Sequence, residues 1–186
     1  MKKVLLIVSL FLPISLCFAQ QNGVQFTVRW NITNNRYEVF AKPNFTSSTF
    51  TWGPSQVGLV LPALTPNQAV NVTSVNAGTW VDKSRVYAPL ADVAHDFHGV
   101  VSDGDMTNLT SGVETLLFTF TLSDGQCRAG VRIFVNGSDP ASSAAGMAGG
   151  DFKNTIFSGV EAYGSNYNNT GTQCNNCNIT APELIK

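Results

Sequence analysis

Glu114-Thr-Leu-Leu-Phe-Thr-Phe-Thr-Leu122 sets Leu116, Phe118, Phe120 and Leu122 at every second position, with Thr119 and Thr121 opposite them. Successive side chains of an extended chain point to opposite faces, so this run reads as a strand with one apolar face. Asp124-Gly125 turns the chain into Arg128–Val135, where Val131, Ile133 and Val135 align, and Asn136-Gly137 and Asp139-Pro140 close that strand. Upstream, Val24, Phe26, Val28 and Trp30 alternate with Gln25, Thr27, Arg29 and Asn31; Asn34-Asn35 turns, and Tyr37, Val39 and Ala41 form the hairpin partner up to Pro43. Phe50 and Trp52 lead through Gly53-Pro54 to Val57–Leu61, Val70–Val75 alternates again, and Trp80–Tyr87 follows Ala77-Gly78. Ala141–Gly150 reads as a helical turn or a tightly packed loop, and Thr155–Tyr163 as the last strand. No segment holds a helical period with caps. The expectation is all-β: a single β-sandwich of about nine short strands. Its core should contain Phe118, Phe120, Val131 and Ile133, with Trp30 packing from the facing sheet.

The N-terminus has the layout of a cleaved secretory signal: Met1-Lys2-Lys3 is positive, Val4–Leu12 is mostly apolar, and Cys17-Phe18-Ala19 ends on a small residue. The apolar run is short for a membrane span and Pro13 interrupts it. Leu16 stands where a lipoprotein signal ahead of Cys17 needs a small residue. Residues 1–19 are therefore read as signal peptide, 20–177 as the sandwich and 178–186 as a short tail, in a protein secreted from a bacterial cell or held at its surface. Three cysteines remain after such cleavage. In an oxidising compartment Cys127 pairs with Cys174 or Cys177, or Cys174 and Cys177 close a small ring and leave Cys127 free.

The whole chain carries a formal charge of −1, which becomes −3 on loss of Lys2 and Lys3. No basic patch is visible, so nucleic acid and anionic membrane are poor partners. Charged residues make up only 12% of the sequence, and Asn, Thr, Ser and Gly take their place, as in extracellular β-rich modules. Asn-x-Ser/Thr sequons fall at Asn31, Asn44, Asn71, Asn108, Asn136, Asn168 and Asn178. They suit a glycosylated surface, but Asn-apolar-Thr also fits strand alternation.

Candidate chemistry is sparse. His95 and His98 sit at i and i+3 with Asp92, Asp96, Asp103 and Asp105 nearby; on a strand that spacing points them to opposite faces, so structural, hydrogen-bonded histidines are expected rather than a metal pair. Asp103-Gly104-Asp105 offers the start of a calcium loop, yet Met106-Thr-Asn-Leu109 lacks the further acids an EF-hand requires, and Asp-Gly also makes an ordinary turn. No Gly-x-Ser-x-Gly elbow accompanies the histidines, and Glu38, Glu114 and Glu161 each fall where a solvent-facing acid is the default, so no enzyme is expected. Cys174-Asn-Asn-Cys177 has redox spacing without a βαβ context. Tyr163 and Tyr167, in a polar Gly/Asn stretch, are the better exposed aromatic candidates for stacking on a sugar.

Trp80–Tyr87, His95-Asp-Phe-His-Gly-Val100, Glu114–Phe120 and the stretch from Cys127 to Met147-x-Gly-Gly-Asp-Phe152 resemble the cohesin-like β-sandwich modules of bacterial secreted, adhesin-type surface proteins. The resemblance covers residues 22 to 177. It implies a jelly-roll-like sandwich that attaches or assembles by protein–protein contact at the cell surface without catalysis, as the subunit of an extracellular fibre or against an anchored partner. Related folds include carbohydrate-binding modules, so a polysaccharide ligand is the alternative and a secreted hydrolase the third reading. No cofactor is implied beyond calcium at Asp103 and Asp105. In the tail, Ile179, Leu184 and Ile185 are apolar side chains suited to docking on a sheet edge of another subunit.

Overall fold

The computed structural model describes residues 23–174, so the signal segment, Cys177 and the tail residues Ile179, Leu184 and Ile185 lie outside the described residues. The described chain is all-β, with twelve strands and no helix: β1 Val24–Asn31, β2 Arg36–Pro43, β3 Ser47–Trp52, β4 Ser55–Pro62, β5 Val70–Ser74, β6 Trp80–Val86, β7 His95–Ser102, β8 Asp105–Leu109, β9 Thr115–Leu122, β10 Arg132–Ile133, β11 Thr155–Ile156 and β12 Tyr163–Asn166. One sheet runs β12-β1-β2-β9-β5 and the other β10-β4-β7-β6, with β11 also on β4; β3 and β8 form a separate two-stranded ribbon.

The alternating faces meet between the sheets. Phe26, Val39, Phe118 and Phe120 from the first sheet pack with Val57, Leu59, Leu61 and Val100 from the second, all essentially without solvent exposure. Val131 and Ile133 are equally buried in this core. Trp30 departs from expectation. It lies on β1, in the same sheet as β9, and is only half-buried, its ring edge against Tyr37 at 4.8 Å. The second sheet is covered on its outer face too: Val60, Phe97, Phe134, Met147 and Phe152 form a smaller core, for which 141–150 serves as a packed loop.

That double covering explains why β7, an interior strand of its sheet, escapes a period-two reading. A strand buried on both faces shows no polar alternation, and here the two-sided burial also includes His98 and Asp96.

Two expected strands are broken up. In Arg128–Val135 only Arg132–Ile133 pairs with a neighbour. Ile133 instead exchanges both its peptide groups with the side chain of Asn169, N–H to Oδ1 at 2.7 Å and C=O from Nδ2 at 2.8 Å. Val135 N–H goes to Asp139 Oδ2, while Arg132 also holds Asp139. Thr155–Tyr163 likewise stops after Ile156 in a turn closed by Ser158 N–H to Val160 C=O, and the chain resumes as β12 in the opposite sheet.

Asn154 completes the bracket. It is 1% exposed, accepts from Gly58 N–H at 2.9 Å and donates to Phe134 C=O at 2.6 Å. Asn166 donates to the same carbonyl. A side-chain amide carries the donor and acceptor of a peptide unit, so these asparagines finish the sheet edge in place of a strand. Gly58 is required at this approach, because a Cβ there would collide with the Phe152 carbonyl and Phe134.

Cys127 and Cys174 are bonded, with Cα atoms 5.6 Å apart, joining the last described residue to the loop after β9. The buried Tyr37 hydroxyl lies under this bridge and holds Arg128 C=O at 3.0 Å.

Candidate functional site

A groove of about 680 Å3 opens between the β3–β8 ribbon and the β5–β6 connection. The ribbon stands on two buried anchors, Trp52 at the end of β3 and Leu109 at the end of β8, each 1% exposed. Gly104 makes the turn that launches β8: its φ is +86°, and a Cβ would strike the Trp52 carbonyl.

The opposite wall is braced from several sides. Val75 and Asn76 N–H both donate to Leu117 C=O at 2.9 Å, and Asn76 Nδ2 donates to Leu116 C=O. Trp80 donates its indole N–H to Asn76 C=O and its peptide N–H to Ser74 Oγ. Ser102 Oγ donates to Ala77 C=O and accepts from Gly104 N–H, tying the two turns together. A wall fixed this way loses little freedom when a ligand arrives.

The lining is neutral and hydrogen-bonding: hydroxyls of Ser48, Thr79 and Thr107 and amides of Asn76 and Asn108, with Asp105 as the one charge. Two apolar side chains stand out from it, Met106 at 70% exposure and Val75 at 49%. Asp105, Met106, Thr107 and Asn108 are consecutive yet all reach the groove, so it follows the edge of β8 as well as one face. Met106 N–H donates to Asp105 Oδ1 at 2.6 Å.

Asp103 and Asp105 are part of this region. Asp103 Oδ1 accepts from Thr79 N–H at 2.7 Å, bracing the wall, and Asp105 accepts from Met106. Among the described residues no three His, Cys, Asp or Glu side chains gather as a metal site.

The tyrosines are also engaged. Tyr163 packs on Phe26 at 5.4 Å and hydrogen-bonds Asn166, and it borders a hollow beside Asn136 and Asn169. Tyr167 has Lys42 Nζ 3.9 Å above its ring and donates to Glu114 Oε1 at 2.8 Å. Burial and that carboxylate push its hydroxyl pKa well up. Phe26 thus packs against the Tyr163 ring, and the Lys42 ammonium sits over the Tyr167 ring.

The remaining titratable candidates are held apart. His98 is wholly buried with Nδ1 2.9 Å from Asp82, while His95 points the other way, 2.8 Å from Asp92. Burial raises the Asp96 carboxyl between them in sequence, against hydrogen bonds from the Ala88 and Leu64 backbone. Glu38 binds Arg36 and Asn31, Glu114 binds Arg29, and Glu161 accepts from Ile156 and Tyr163 N–H, so the three glutamates serve separate structural pairings. A different apolar hollow of about 370 Å3, lined by Phe45, Phe50 and Val160, lies on the far flank of β3.

The groove itself escaped the sequence reading, which took Ala77-Gly78 as the break before Trp80–Tyr87 and Asp103-Gly104-Asp105 as the start of a calcium loop or an ordinary turn. The available signal was Val75 and Met106, apolar residues next to turn signals with no alternating partners to bury them. No protein-family model matches the chain, and no curated protein or solved structure matches it significantly.

Proposed function

We propose that this chain is a secreted, non-catalytic adhesive or structural module that works by protein–protein contact at the cell surface. The observation that carries the reading is the groove beside β8: a braced wall, a strand edge with no backbone partner among the described residues, and two exposed apolar side chains, Met106 and Val75. Exposed apolar groups rimmed by polar ones mark contact surfaces, and a free edge offers main-chain hydrogen bonds to an extended partner. The signal-like N-terminus and the low charge support export, and the resemblance to cohesin-like modules agrees with attachment.

A polysaccharide is the second reading, favoured by the hydroxyl and amide lining; the pinned Tyr163 and Tyr167 weaken it. Sedimentation of the exported protein, wild type against Met106→Lys and with or without soluble polysaccharide, tests the choice. The expected result is concentration-dependent association that Met106→Lys weakens by at least about tenfold. Polysaccharide-dependent shifts without protein association would transfer the case to the sugar reading.

A further inference from the structure

The edges of the two sheets are not equally open. The β10–β11 edge is finished by the amides of Asn154, Asn166 and Asn169. The β6 edge is bulged between Asp82 and Ser84 and carries exposed Lys83 and Arg85, a combination that turns neighbouring strands away. The β5 edge is tied across to β6 where Ser74 Oγ meets Trp80. β12 is four residues of Tyr-Gly-Ser-Asn, short and without an apolar face. The outer edge of β3 is also unpaired among the described residues, but a bulge between Ser47 and Phe50 interrupts it. The β8 edge is five residues long and unbroken, with its groove alongside.

We propose that residues 177–181 of one copy add as a strand to the β8 edge of a second copy, building head-to-tail chains; this rests on the protein-contact reading above. Cys177-Asn-Ile-Thr-Ala181 matches β8 in length, and Ile179 and Ala181 share one face, suited to Met106 and Val75, with Asn178 and Thr180 on the other. Pro182 has no N–H and ends such a strand. Leu184 and Ile185 then extend past the end of β8.

Polarity and reach select a second copy as the donor. The groove lies at the Thr115 end of β9, whereas the bridge to Cys174 is made by Cys127, beyond the Leu122 end. An eight-residue strand covers roughly 26 Å. Residues 177 and 181 reach at most about 10 and 25 Å from Cys174, so their strand cannot lie along β8 of its own copy. Donor and acceptor at opposite poles make a heterologous contact, which propagates head to tail unless its rotation closes a ring.

The test uses the mature protein with Cys177→Ser in every form, which removes any intermolecular disulfide. One form also lacks residues 178–186 and keeps only the acceptor; another carries Met106→Lys and keeps only the donor. Met106 is exposed, so its substitution leaves the fold intact. The expected result in sedimentation is a concentration-dependent series for the parent, monomer for each altered form alone, and a one-to-one pair that grows no further when the two are mixed. A tail-deleted form that associates like the parent, while Met106→Lys does not, overturns the tail assignment and leaves the contact reading standing. A mixture that stays monomeric while the parent assembles also overturns it. A parent that stays monomeric, or a Met106→Lys form that associates like it, overturns both.

Discussion

Replacing Asn154 probes the amide bracket directly. Asn154→Ala removes the acceptor of the Gly58 N–H, a group inside a sheet buried on both faces, and one donor to Phe134 C=O. An orphaned buried N–H costs about 1–3 kcal/mol. The carbonyl keeps Asn166 as a partner, so its share is nearer about 1 kcal/mol. Together this is about 2–4 kcal/mol, or roughly 5–15 °C in Tm for a domain of this size. Asn154→Asp sharpens the test: it preserves shape and the acceptor for Gly58 but loses the donor to Phe134 and buries a charge. Thermal and urea unfolding by circular dichroism across pH should therefore show Asn154→Asp regaining stability relative to Asn154→Ala as the new carboxyl protonates in acid. Unfolding of Asn154→Ala within about 2 °C of the parent would refute the view that these amides finish the sheet edge.

Phe118→Ala, at a position with no exposure and 5.0 Å from the Trp80 ring, should cost about 3–5 kcal/mol in urea unfolding, and a loss under about 1 kcal/mol would invert the face assignment. Cys127→Ser opens a bridge spanning 47 residues of sequence and should cost about 4 kcal/mol on the loop-entropy account; peptide mapping that finds Cys127 as a free thiol in the exported protein would remove the premise. Burial raises the Glu114 pKa, but hydrogen bonds from Arg29 and Tyr167 and the charges of Arg29 and Lys42 outweigh it and hold the carboxyl below its ordinary 4.5. A depressed carboxyl stabilises the fold fully above that value and loses its contribution as pH falls through the folded pKa. Glu114→Gln should accordingly flatten the acid limb of the stability profile, and an unchanged limb would show that the Arg29 pair is screened away.

Strands whose two faces differ were legible in the sequence. Glu114–Leu122 and Val24–Asn31 were read to within a residue of their structural bounds. A bulge between Val39 and Phe40 on the neighbouring strand, however, accompanies a change of face at the start of β9, where Leu117 is buried in the core and Leu116 only half-buried. Legibility failed where backbone partners are side chains. Nothing in the apolar pattern of Val131, Ile133 and Val135 reports that Asn169 and Asp139 take their peptide groups. The abundance of asparagine suggested sequons and sugar contacts; several of these amides are instead spent inside the fold, Asn136 with Asn154 among them. Asp103 and Tyr167 were visible as polar residues in turn-rich stretches, but the Thr79 N–H and the Lys42 ammonium that engage them come from distant segments. The groove depends on a turn after β5 meeting a ribbon formed by β3 and β8, a contact between segments about 30 residues apart or more that local patterning does not encode.

Hydrogen exchange on the exported protein, followed by mass spectrometry above and below its association concentration, tests the proposed contact most directly. Strand addition at β8 predicts protection gained on association at residues 105–109 and 75–79, with the rest of the sandwich unchanged. Exchange at β8 that is independent of concentration, or protection that appears there only when a polysaccharide is added, would contradict it.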